Sequence, residues 1–354
     1  MAKILIKNGR VWDGAHFFEA DVLTEGPRIA QIGASISENA DLVYDATGMT
    51  VSAGLVDLHA HFRGISSDKY GASAEMVCFP FGVTAAVDAG GEQGDRVMLD
   101  ALLPKNAVFA VIDIRNDQLD LTQAEERLAA YGDKAVGVKL YYDTKVSKVW
   151  DISPLRKACA YAHAKGLHVM VHCSHSPVSM AEILGTLGSG DILTHAFHGG
   201  ENNATADGFE SIKAAQARGV VIDMGMAGHV HTDFAVLKRA IASGIVADTV
   251  STDITKNSAY TRGGRYGITM CMSIAKALGM REEDVFKAVT ANPARALGKA
   301  EWGVLRVGGC ADIAMLSENG SGFDLTDKAG NRITGKTGYQ CELTVLNGQI
   351  VYAH

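Results

Sequence analysis

The sequence predicts an α/β protein: a parallel (β/α)8 TIM-type barrel over residues of about 54–302, inserted into a small β domain that the two chain ends, 1–53 and 303–354, build together. Three observations carry this. Apolar strand-like runs alternate with helical stretches through the middle of the chain, the pattern of a parallel sheet made of βα units. Both ends show only short β-like runs cut by turns, without a helical period. Eight units in about 250 residues is the ordinary size of such a barrel.

Taken in order, the first β-like runs are Ile4–Trp12, Ala20–Thr24, Arg28–Ile32 and Leu42–Tyr44, with Asn8-Gly9 reading as a hairpin turn. The barrel strands follow as Leu55–His61, Val83–Asp88, Val108–Asp113, Val136–Tyr141, Leu167–Cys173, Ile192–Ala196, Val220–Met224 and Thr249–Asp253. Thr122–Tyr131, Pro154–Lys165 and Asp233–Ser243 read as helices between them. Ala311–Leu316 and Cys341–Tyr352 return to β character, and Val345-Leu-Asn-Gly-Gln-Ile350 repeats the pattern of Ile6-Lys-Asn-Gly-Arg-Val11. An open doubly wound sheet is the alternative. Against it, no G-x-G-x-x-G follows the first barrel strand, and polar residues end several different strands, as they do on the active face of a barrel.

Composition narrows the function. The chain has 354 residues, 47% hydrophobic and 21% charged, which excludes a disordered or collagen-like protein. Lys and Arg number 33 against 40 Asp and Glu, so the net charge of −7 argues against a general nucleic-acid or anionic-membrane surface and for a small-molecule substrate. No apolar run approaches the roughly 18 residues of a membrane span, and the start is too soon polar for a secretory signal. A cytoplasmic homo-oligomer is expected. The 6 cysteines are dispersed without a C-x-x-C pair, which removes the zinc-finger and thioredoxin-like readings.

The chemistry begins at His59-Ala-His61, which ends the first barrel strand. Side chains alternate along a strand, so two histidines at i and i+2 share a face and can chelate one metal ion. A hydrogen-bonded surface pair fits the same two letters. Lys139, His172, His195 and Asp253 also end strands and would face the same rim. Asp57, on the His59 face one layer lower, reads as a partner that orients these groups.

At this point the chain resembles the amidohydrolase superfamily. The likeness runs through His59 and His61, Lys139 in Gly137-Val-Lys-Leu-Tyr141, His172 in Val171-His-Cys173, His195 in Leu193-Thr-His195 and Asp253 in Ser251-Thr-Asp253. It implies a barrel flanked by a β-sandwich of both termini and two divalent metal ions, zinc by expectation, held by those six residues. It further implies Lys139 as N6-carboxylysine, since an ammonium cannot ligate, and Asp253 as both ligand and general base. The two ions would share the water that attacks the substrate carbonyl.

His59-Ala-His-Phe-Arg63 is similar to the H-x-H-x-R stretch of dihydroorotases, in which the arginine binds a substrate carboxylate; a salt bridge to a loop acid is the plain alternative for Arg63. The chain departs from dihydroorotases at Val87-Asp-Ala-Gly-Gly91, where they carry Met-Pro-Asn, and at Ile254-Thr-Lys-Asn257, where they carry His-Ala-Pro-His. Those departures favour the deacetylase, dihydroorotase-like branch, which hydrolyses acyl amides or esters of small carboxylic acids. A cyclic amide hydrolase is the enzymatic alternative and a barrel kept as a non-catalytic scaffold the other. Nucleobase deaminases are disfavoured because their one-metal members generally lack a counterpart of Lys139.

Weaker signals remain. Tyr141, His198, Asn203 and the loop Tyr260–Arg265 could line the substrate pocket. His229-Val-His231 is a second H-x-H, read as a rim loop in an ordinary polar role. Gly330–Thr337 matches the G-x-x-x-x-G-K-[ST] phosphate loop by letter, yet without a strand before it and a helix after it the segment reads as a glycine-rich turn of the terminal β domain.

Overall fold

A computed structural model of the chain describes residues 2–62, 71–90, 105–115, 117–228, 230–260 and 265–354. Both ends enter one eight-stranded sheet. Lys3–Trp12 lies in its middle, antiparallel to Phe17–Glu25 and parallel to Leu42–Asp45 and Thr50–Ala53; Thr50–Ala53 then pairs antiparallel with Ile313–Gly320, which continues to Gly338–Leu346 and Gln349–Ala353. Alternate residues of these strands, among them Ile4, Ile6, Val22, Val51, Ile313 and Val345, are buried in one shared core, so the two ends are held by apolar burial as well as by the ladder.

The Asn-Gly pairs of the two matching patterns, at 8–9 and 347–348, have different fates. Asn347-Gly348 forms the expected tight hairpin, with φ of +50° and +74°. Asn8-Gly9 does not turn the chain: it is a bulge inside one continuous strand, where the register with Phe17–Glu25 shifts between Ile6 and Gly9. The reason is local. The Asn8 N–H donates to Asp21 Oδ1 (2.8 Å) and its amide to Asp45 Oδ1 (3.0 Å), while a Cβ on Gly9 would lie 2.6 Å from Val51 Cγ2.

Gly54 alone separates the terminal sheet from the barrel, and a Cβ there would lie 2.0 Å from Thr84 Oγ1, so only glycine fits the close crossing. Seven parallel strands follow: Leu55–Ala60, Val83–Asp88, Lys105–Ile112, Ala135–Tyr141, His168–His172, Ile192–Thr194 and Val221–Ile222, each paired with the next. The eighth predicted strand is not a regular one. Thr249–Ile254 instead spans the gap through single bridges, Asp223 with Thr249 and Ala60 with Ile254. Its amides and carbonyls are spent on both neighbours: Met224 N donates to Thr249 O (3.0 Å), Asp253 N to His59 O (2.7 Å) and His61 N to Ile254 O (3.0 Å).

The three predicted helices form as Leu121–Tyr131, Ser153–Ala164 and Phe234–Ala242. Asp120 and Asp233 cap two of them by accepting backbone N–H bonds, and Pro154 sits in the first turn of the third. Leu155, Ala158, Cys159 and Ala162 recur at helical spacing and pack on the barrel. The segment containing Gly330–Thr337 is neither a phosphate loop nor part of the terminal sheet. Phe323–Thr326 and Arg332–Gly335 make a separate hairpin whose Phe323 and Ile333 sink into the barrel core.

Candidate metal centre

Strand ends bring His59, His61, Lys139, His172, His195 and Asp253 together, all of them buried. His59 and His61 project from one strand, with ring centroids 5.2 Å apart. Asp253 meets both through one carboxylate oxygen, Oδ1, at 3.2 Å from His59 Nε2 and 2.8 Å from His61 Nε2. Its other oxygen lies 3.8 Å from His195 Nε2. Lys139 Nζ stands 3.2 Å from His59 Nε2, and His172 packs edge-on to His195 at 4.6 Å.

Backbone conformation does part of this aiming. His195 has φ +59° and Asp253 φ +49°, the left-handed region that histidine and aspartate enter more readily than most residues. His195 directly follows the sixth barrel strand and Asp253 lies in the irregular segment Thr249–Ile254, and both side chains turn inward.

Outer partners fix the ring orientations. His59 Nδ1 bonds Thr194 Oγ1 (3.0 Å), His195 Nδ1 bonds the Gly225 carbonyl (2.6 Å) and His61 Nδ1 bonds the Gly90 carbonyl. Carbonyls only accept, and the Thr194 hydroxyl proton is already given to Asp223 Oδ2 (2.7 Å), so all three Nδ1 atoms carry the proton. The Nε2 atoms of all three rings therefore face the centre, where that of His61 meets Asp253 and that of His195 has no hydrogen-bond partner among the described residues. Imidazole nitrogens gathered around a carboxylate are a ligand set that binds metal once any Nε2 proton is displaced, so the residues fit a divalent ion.

The electrostatics agree. Burial lowers His59 to about 4 and His195 well below the usual histidine range, with neighbouring cationic groups adding to it. Burial alone would raise Asp253, yet the charges of His59 and His61 outweigh it and hold the carboxyl well below its ordinary value. Burial also brings Lys139 down to about 8. Asp57 lies buried below the cluster, accepting from the backbone amides of Thr252 (3.1 Å) and His59 (3.3 Å).

Other residues of the cluster escaped the sequence reading. His231, treated there as a rim residue, stacks on His195 at 4.3 Å and groups with His172 and His195 as a second set of ligand-type atoms. Asp223 gathers the hydroxyls of Thr194, Thr249 and Ser251 at 2.7–2.8 Å beneath His59. Asp143 accepts from His175 Nδ1 (3.1 Å) and lies 3.4 Å from His172 Nε2. A signal existed for each: a repeated H-x-H, and carboxylates at the ends of apolar strands.

His59, His61, His172, His231 and Asp253 line a cavity of about 420 Å³ whose other walls include Tyr141, Lys145, Val146 and Asn257. Of the predicted substrate contacts, Tyr141 lines this cavity, while His198 lines a second one beside it. Asn203 lines neither: its oxygen accepts from Thr205 and its amide donates to Gly200 O (2.8 Å), so both ends serve the local turn. Arg63, His229 and Arg262 lie outside the described residues.

The amidohydrolase family model matches residues 50–351. A deacetylase of Enterococcus faecalis is 28% identical over 98% of this chain and 98% of its own length, and a deacetylase of Agrobacterium fabrum is 27% identical over 96% and 88%. The crystal structure of a dihydroorotase superposes with a TM-score of 0.87 at 24% identity, covering 100% of this chain and 98% of that one, a likeness of fold. With the family match running over most of the chain, through the barrel and every residue of the histidine cluster, this chain belongs to the amidohydrolase family.

Proposed function

We propose that the protein is a metal-dependent hydrolase that cleaves an amide or ester bond in a small acylated substrate bearing a carboxylate, in the manner of a deacetylase. The observation that carries this reading is the convergence of the Nε2 atoms of His59, His61 and His195 on Asp253, with His59, His61 and Asp253 lining a cavity. Its full-length relatives named as deacetylases point the same way. His59, His61, Lys139, His172, His195 and Asp253 would hold two divalent ions, which when bound supply an acidified water and a polarised carbonyl.

The chain's own groups divide the remaining work. Lys139 joins the ligand set as a carbamate: its free amine adds to the carbon of CO2 and the nitrogen loses a proton, leaving a two-oxygen anion. A pKa brought down to about 8 keeps a useful share of that amine unprotonated. Asp253, ionised and facing His59 and His61, accepts the proton of the attacking water and returns it to the departing nitrogen or oxygen. Asp223, through Thr194, and Gly225 hold the rings of His59 and His195 in place.

Elemental analysis of the purified protein, with a panel of N-acyl amino acids, acetyl hydroxy acids and cyclic ureides, tests the proposal. One to two divalent ions per chain and turnover of the acyl substrates are expected. Turnover confined to the cyclic ureides would make it a cyclic amide hydrolase, and a metal-free, inactive protein would make it a scaffold.

A further inference from the structure

The ligand-type atoms of the cluster divide into two groups about one carboxylate. Oδ1 of Asp253 faces His59 and His61, while its Oδ2 stands 3.8 Å from His195 Nε2 and 3.8 Å from His231 Nε2. Those two separations are too long for hydrogen bonds, yet an ion about 2.0–2.1 Å from each atom can span them. His195 Nε2 is buried without a hydrogen-bond partner among the described residues, a state that asks for a ligand. His172 closes the group: one ligand atom from each of His172, His195 and His231 falls within 4.8 Å of the other two.

The chain is built to place His231 there. The seventh barrel strand runs into a loop that Gly225, Ala227 and Gly228 turn with φ of +53°, +47° and +61°, and at Ala227 an ordinary side chain adopts that conformation only at a cost. The amides of Met226 and Ala227 donate to the carbonyls of Ser251 (3.2 Å) and Thr252 (2.9 Å), which fastens the loop to the segment carrying Asp253. At its far end Asp233 N donates to Phe197 O (3.0 Å), just past His195. His231 Nδ1 meets the Ser174 hydroxyl at 2.9 Å, which leaves Nε2 for the cluster. That hydroxyl can accept the Nδ1 proton, as Thr194 does for His59 and the Gly225 carbonyl for His195, so the three rings are held in one manner. A histidine serving Ser174 alone would need neither its Nε2 turned to Asp253 nor its ring stacked on His195 at 4.3 Å.

We propose that His231 is a seventh metal ligand of the centre: with His172 and His195 it makes a three-imidazole site for one of the two ions, His59 and His61 serve the other, and Asp253 spans the two sites with one oxygen in each. The inference rests on the metal-dependent reading above. Three imidazoles leave a position open for water or substrate, as catalytic zinc sites do. His231 also lines the cavity, so the ion it helps to hold is the one reached from the loop side of the pocket.

The native protein, stripped with chelator and reloaded with Cd2+, tests this by NMR, because each imidazole bonded to the metal shows a coupling between cadmium and its labelled nitrogen. Five coupled imidazoles are expected, those of His59, His61, His172, His195 and His231; four, with His231 uncoupled, overturn the inference and leave the hydrolase reading standing. Calorimetric titration of His231→Gln with Zn2+ gives a second measure. One ion should bind as it does to the native protein and the other about 100-fold or more weaker, whereas Ser174→Ala, which removes only the outer partner of the ring, should cost about 10-fold. Unchanged affinity for both ions in His231→Gln overturns the inference. Melting temperatures in chelator separate ligand loss from misfolding, and where the variant does not fold the coupling count in the native protein decides. A native protein that takes up no divalent ion removes the metal-dependent reading and this one with it.

Discussion

Asp253→Asn separates basicity from shape at the centre of the cluster. The backbone at Asp253 is left-handed, φ +49°, a conformation that asparagine adopts about as readily as aspartate, whereas alanine would add a backbone penalty of about 1–2 kcal/mol. Asparagine also keeps an oxygen that can occupy the Oδ1 position, 2.8 Å from His61 Nε2 and 3.2 Å from His59 Nε2. What it loses is the lone pair that takes a proton near neutral pH. Removing a general base typically costs about 10²–10⁴-fold, which is about 2.7–5.4 kcal/mol in the barrier. Steady-state rates on the best acyl substrate, with metal content and melting temperature measured on the same preparation, check this. A variant that keeps its metal and its melting temperature yet turns over within fivefold of the native rate would remove Asp253 from proton transfer.

Asp223→Ala leaves the hydroxyls of Thr194, Thr249 and Ser251 without their buried acceptor and frees the ring of His59, so a loss of about 2–4 kcal/mol is expected. At about 2–4 °C per kcal/mol this is a clear drop in melting temperature, and an unchanged melt would show the network to be idle. Burial raises Asp57 to about 7, outweighing its bonds from Thr252 and His59. A carboxyl raised in the folded state stabilises below its unfolded pKa and loses that contribution as pH climbs to about 7, so Asp57→Asn should flatten the stability profile between about pH 4 and 7. Identical slopes in native protein and variant would contradict it. Chelation should lower the melting temperature and abolish turnover, both restored by added divalent ion; a melt indifferent to chelator would count against the centre.

Much of this site was legible because strand geometry is simple. Alternation puts His59 and His61 on one face, and a parallel barrel collects strand ends on one rim, so Lys139, His172, His195 and Asp253 needed only to be found at the ends of apolar runs. His231 obeys no such rule. It reaches the cluster through a loop turned by Gly225, Ala227 and Gly228, all with positive φ, and no period in the sequence encodes that path. The Asn-Gly pairs at 8–9 and 347–348 teach the same lesson at shorter range. Identical letters make a hairpin at Asn347, where the following strand folds back, and a bulge at Asn8, where Asp21 and Asp45 hold the side chain and backbone from neighbouring strands.

The irregular eighth segment was illegible for a further reason, which bears on function. Thr249, Ser251 and Thr252 spend their hydroxyls on Asp223 and Asp57 rather than on a solvated or apolar face, and Asp253 leaves the extended region altogether. A regular strand would alternate these residues between the barrel interior and its outer layer, sending some of the hydroxyls away from both carboxylates. The ladder is given up at the point where it would compete with the network that holds His59 and aims Asp253. Strand periodicity therefore fails where the fold turns from building a sheet to positioning a base, and such a failure in an otherwise regular barrel is itself a marker of the site.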